Sequence, residues 1–152
     1  MKDPQLPSAP RPRAGQKRAT WRAPASASLT ALALAETARR HDGLVLAVTR
    51  DSHGAQALEH DLRVFAGDGR EALPVLHFAD WETLPYDLFS PHPDIVSQRV
   101  AALYRLPTAR KGVLVVPVAS LMQRLPPPEW VAGNTLDLRK GQRLDLDAEK
   151  RR

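Results

Sequence analysis

The chain has no cysteine, which removes disulfide scaffolds, thiol nucleophiles and cysteine-based zinc sites. No apolar run approaches the roughly 18 residues that a membrane-spanning helix needs. A secretory signal is excluded too, because no apolar stretch follows the basic N-terminal residues; the cytoplasm is the expected compartment. Aromatic residues make up only 5% of the chain, so the gathering of Trp81, Tyr86 and Phe89 in one short stretch stands out. Proline is in excess, at fourteen of 152 residues, about twice the usual rate.

Charge is unevenly distributed. Residues 1–22 carry Lys2, Arg11, Arg13, Lys17, Arg18 and Arg22 against Asp3 alone, a net of +5. The remaining residues carry sixteen basic and sixteen acidic groups, so the high pI belongs to the leader. Five prolines between Pro4 and Pro24 deny backbone donors and block helix, and residues 1–27 are expected to form a disordered, basic, proline-rich leader. Such a leader can add weak, salt-sensitive phosphate contacts.

From Ser28, read as an N-cap, a helix is predicted to end near Arg39-Arg40-His41, with Gly43 as its stop. Residues 44–49, Leu-Val-Leu-Ala-Val-Thr, form a continuous apolar run, the pattern of a strand buried on both faces. A second helix runs through Ala57, Leu58, Leu62 and Phe65 to Gly67, and residues 75–78 are a short strand. Pro93 opens a third helix. Residues 112–117 are a third buried strand, and residues 119–125 a short helix halted by Pro126-Pro127-Pro128. Residues 135–138 alternate as an edge strand would. Asp145 is placed to cap a helix that would start at Leu146, and the chain stops at Arg152 before any C-cap. Alternation of helix and buried strand implies an α/β fold, a largely parallel sheet with flanking helices, over residues 28–152 and incomplete at its C-terminus.

Chemistry is hard to find in this text. A phosphate cradle needs glycines for close backbone approach and a lysine for charge. The equivalent stretch, residues 23–30, has neither, so it is not expected to bind nucleotide in the usual way, and an NTPase or helicase active in its own right would require residues the chain lacks. Asp80 and Glu82 are paired carboxylates after a strand but lack a partner His or Lys, and loop solvation explains them as well. The five histidines show no metal spacing; His53 and His60 would lie about 10 Å apart on a helix. No G-x-S-x-G elbow occurs. The aromatic loop suits either a recognition surface or a loop pinned under the sheet by Leu84, Tyr86 and Phe89.

The run from Asp80 to Ile95, with Asp80-Trp81-Glu82-Thr83-Leu84-Pro85-Tyr86-Asp87 and Ser90-Pro91-His92 as its most specific strings, resembles the Mfd family of bacterial transcription-repair coupling factors. The likeness continues through Arg99, residues 103–107, residues 112–118 ending in Pro117-Val118, residues 121–125 with Arg124, and residues 140–144. It implies that residues 28–152 are the first lobe of a UvrB-like module, a degenerate P-loop, helicase-type fold without a Walker A motif. It also implies a longer parent that uses ATP and magnesium to translocate on DNA, releases stalled RNA polymerase and recruits nucleotide excision repair of DNA damage through UvrA. UvrA would be contacted by a lobe beyond residue 152. No catalytic, cofactor-binding or metal residue carries over. Asp80, Trp81, Glu82, Pro85, Tyr86, Asp87, Ser90, Pro91, Arg99, Pro117 and Arg124 are signature residues, expected to pack internally or face a neighbouring lobe. The alternative is a stand-alone interaction module that binds nucleic acid weakly through its basic leader.

Overall fold

The structure, a computed structural model, describes residues 7–22, 26–83, 88, 90–136, 141 and 143. Three parallel strands form the sheet: β1 (Leu44–Thr49), β2 (Val75–His77) and β3 (Gly112–Pro117), in the order β1-β3-β2. Leu44 pairs with Gly112 and Thr49 with Pro117, while Val75 pairs with Val113 on the other side of β3. The strand last in sequence is therefore central, and every residue of β3 is buried. This is the expected α/β arrangement of a parallel sheet with flanking helices.

Side chains alternate across a strand, and β3 divides the core in two. Val113 and Val115 face helices α1 (Ala27–Arg39) and α2 (Ser52–Ala66), packing with Ala31, Ala35, Ala38, Ala55 and Leu62. Alanines along α1 let it approach α2 closely. Leu62 is fully buried, a burial that contributes about 1.5–3 kcal/mol. Leu114 and Val116 face the opposite layer, where Ala102 and Leu103 of α3 (Pro93–Arg105) and Leu106 meet Phe78.

Two glycines are fixed by geometry. Gly67, at φ +80°, ends α2 in the left-handed region. Gly112 opens β3 at φ +128°, where a Cβ would lie 2.3 Å from the Pro74 carbonyl oxygen. That oxygen accepts from the Val113 N–H at 2.8 Å, so the close approach belongs to the start of the strand.

Several expectations need correction. The first helix is capped at Ser26, not Ser28, and the Ser26 side chain makes no capping hydrogen bond. β1 is not buried on both faces: Leu46 is 51% and Val48 48% exposed, because among the described residues β1 is an edge strand and α3 covers only the β2 and β3 side of that layer. The short helix after β3, α4, spans Val118–Leu121 and ends earlier than residue 125. The three prolines do not close the region: Pro128 is the first residue of α5 (Pro128–Gly133), where a missing N–H costs nothing. Thr135 and Leu136 of the expected edge strand are not in a strand; its remainder and the helix expected from Leu146 lie outside the described residues.

Candidate functional site at the carboxyl edge of the sheet

In parallel sheets, ligands are generally held beyond the carboxyl ends of the strands. Here that region, past β2 and β3, is occupied by the chain's own side chains. The segment leaving β2 carries Phe78, Ala79, Asp80 and Trp81; α4, directly after β3, delivers Ser120 and the bend beyond it Gln123; and α3 delivers Arg99. Arg99 is only 3% exposed. Its guanidinium donates to the Ala79 carbonyl and, at 2.8 Å, to Gln123 Oε1. Its central carbon lies 4.1 Å from the centroid of the Phe78 ring and 4.1 Å from that of Trp81.

The circuit closes through Asp80. Gln123 Nε2 donates to Asp80 Oδ1 at 2.9 Å, and the Ser120 hydroxyl lies 3.3 Å from the same oxygen. Burial pulls the Arg99 guanidinium below its usual pKa, and the negative charge of Asp80 opposes that shift. One cation, one carboxylate, two rings, an amide and a hydroxyl thus satisfy one another. Such a site is suited to holding three segments together; it offers no free nucleophile or base.

The signature residues fall into separate environments. Asp80, Trp81 and Arg99 come together, with Pro117 buried at the end of β3. Glu82 does not converge with Asp80: it is exposed, at φ +57°, an uncommon backbone for a non-glycine residue. Trp81 is half-buried rather than free as an anchor. Ser90 and Arg124 are exposed and Pro91 half-buried, away from this cluster's hydrogen bonds. Pro85, Tyr86 and Asp87, and with them the proposed pinning by Leu84, Tyr86 and Phe89, lie outside the described residues.

The sequence alone does not mark Gln123, Ser120 and Phe78 as residues of one site. Arg99 had a signal, since Ile95, Arg99, Ala102, Leu103 and Leu106 fall on one helical stripe, and an arginine within an apolar stripe needs internal partners.

A second polar contact joins α2 to β2. Glu59 Oε2 lies 2.7 Å from His77 Nδ1, and Arg63 donates to Glu59 Oε1 at 2.6 Å. The His77 bond is the main cause of a lowered Glu59 pKa; burial opposes it, and Arg63 assists. His77 Nε2 is buried without a partner among the described residues. Among those residues there is no group of three potential metal ligands, and no helix is long and apolar enough to cross a membrane.

No family model matches the chain. Individual relatives do. The transcription-repair-coupling factor of Escherichia coli strain K12 is 47% identical over 115 residues, 76% of this chain and 10% of that protein. Its namesake in Haemophilus influenzae is 42% identical over 117 residues, 77% of this chain and 10% of the relative. That of Mycobacterium tuberculosis is 38% identical over 112 residues, 69% and 8%. The chain thus spans about a tenth of the length of the curated relatives it matches, and by this stretch it belongs to the transcription-repair-coupling-factor family.

Proposed function

We propose that this lobe is a non-catalytic structural and regulatory scaffold of a transcription-repair coupling factor, the first lobe of its UvrB-like module. The observation that carries the reading is the Arg99 cluster. The carboxyl edge of a parallel sheet, where such folds usually hold a ligand, is filled by mutually satisfied side chains, of which Asp80, Trp81 and Arg99 belong to the signature. The stretch before α1 also lacks the glycines and lysine of a phosphate cradle.

A scaffold needs surfaces for its neighbours. The exposed apolar residues Leu46, Leu121 and Leu125, which line one cleft with Leu103 and Leu106, and Val48 on the same face of β1, suit packing against another lobe of the parent chain. The parent's work is proposed to lie elsewhere: ATP-driven translocation on DNA, release of stalled RNA polymerase and recruitment of UvrA would use parts beyond residue 152.

Calorimetric titration of the 152-residue chain with ATP and magnesium tests the scaffold reading. No heat of binding up to millimolar nucleotide is expected. Micromolar affinity would overturn it.

A further inference from the structure

The leader is tied to the fold at a defined place. The Ala9 N–H donates to Thr37 Oγ1 at 2.8 Å, and Arg11 donates to the carbonyl oxygen of Arg40, the C-cap of α1, at 2.8 Å. Arg40 in turn reaches the Ser8 hydroxyl at 3.5 Å. A guanidinium on the last carbonyls of a helix also complements its dipole. Residues 8–11 therefore sit at the carboxyl end of α1, whereas Ser26 caps its amino end. A basic loop, residues 12–22, leads away from this anchor.

Its content is selective. Between Pro12 and Arg22 the loop carries Arg13, Lys17, Arg18 and Arg22 and no acidic residue. All four cations are exposed, and among the described residues none of them has a hydrogen-bonding or ion-pairing partner. Trp21, half-buried, stands beside Arg22. A turn with Gly15 at φ +81° and a Gln16 N–H to Arg13 carbonyl bond of 2.9 Å bends the loop near its start.

We infer that residues 12–22 form a basic loop, strapped to the end of α1 through residues 8–11, that binds single-stranded nucleic acid, its cations meeting phosphates and Trp21 stacking on an unpaired base. Exposed cations beside an aromatic ring are the usual means of gripping an unpaired strand. The strap supplies order: it limits the freedom the loop would otherwise lose on binding. This inference is independent of the scaffold reading, because the loop lies outside the Arg99 cluster.

Fluorescence anisotropy of a labelled 15-nucleotide single-stranded DNA, titrated with the full 152-residue chain at several salt concentrations, tests it. Four phosphate contacts predict a slope of log K against log salt near −3, from about −0.7 per contact. The double variant Lys17→Glu/Arg18→Glu should bind at least tenfold more weakly, with a flatter slope. Trp21→Ala should lose about fivefold or more with its slope unchanged, because stacking is not a counterion effect. Thr37→Val removes the acceptor for the Ala9 N–H without altering charge, and should weaken binding two- to fivefold. Circular dichroism of each variant checks that the fold is kept. Undiminished binding by the charge variant or by Trp21→Ala overturns the inference, and undiminished binding by Thr37→Val overturns the role of the strap. Equal affinity for phosphatidylglycerol vesicles, with the same dependence on Trp21, assigns the loop to a membrane surface and overturns it as well.

Discussion

The guanidinium of Arg99 lies over the indole of Trp81 at 4.1 Å, so that a residue of α3 holds down the segment that leaves β2. Arg99→Met keeps most of the volume but removes this contact, the Phe78 contact and the hydrogen bonds to Ala79 and Gln123. A loss of about 2–4 kcal/mol in urea unfolding is expected, from a desolvated cation–π contact and charge-assisted hydrogen bonds together. Arg99→Lys should recover little of it, because an ammonium lacks the planar fork. A lysine variant as stable as the parent would show that charge alone holds the segment.

Gly112→Ala places a methyl group 2.3 Å from the Pro74 carbonyl oxygen at a backbone angle alanine avoids. The start of the central strand cannot move without moving its pairing to Val75 and Leu44. Destabilisation of more than about 3 kcal/mol is expected, read as loss of soluble protein or a collapse of the melting transition. Gly133→Ala, where a Cβ meets nothing within 4 Å, is the control and should change stability by less than about 1 kcal/mol.

Acid should loosen the α2–β2 contact. The folded-state pKa of Glu59 is lowered, chiefly by its bond to His77, so its contribution is present above the unfolded value of about 4.5 and is lost as pH falls below it. Glu59→Gln should cost about 1 kcal/mol at neutral pH and make that difference shrink toward pH 3. A gap between parent and variant that stays constant from pH 7 to pH 3 contradicts this account.

The open strip beside β1 should tolerate polar groups in the 152-residue chain. Leu46→Ser changes a side chain already half in water, and a cost below about 1 kcal/mol is expected, with higher solubility. Val115→Ala, inside the covered layer, should cost about 1–3 kcal/mol. Equal costs for the two would mean that the strip is covered in solution.

How much of this was legible in the sequence varies by element. The runs at residues 44–49 and 112–117 announce strands, and Gly67 and Pro93 mark helix ends that the structure keeps. An apolar run does not state which strand will sit at an edge, however, and so it does not reveal the exposure of Leu46 and Val48. Proline at 128 reads equally as a stop and as a first helical residue. For the site, the signature string drew attention to Asp80 and Trp81. Their partners Ser120 and Gln123 lie some forty residues away, and only the fold brings them near.

The strand order has a consequence for the birth of the molecule. Among the described residues β1 and β2 each pair only with β3, the last of the three to leave the ribosome. Until Pro117 has emerged, two apolar strands have no hydrogen-bonding partner, and Leu46, Val48 and Val75 stand beside unpaired backbone. The early chain therefore carries apolar strand edges open to pairing with other chains, and the parallel pairing seen here can form only after β3 is made.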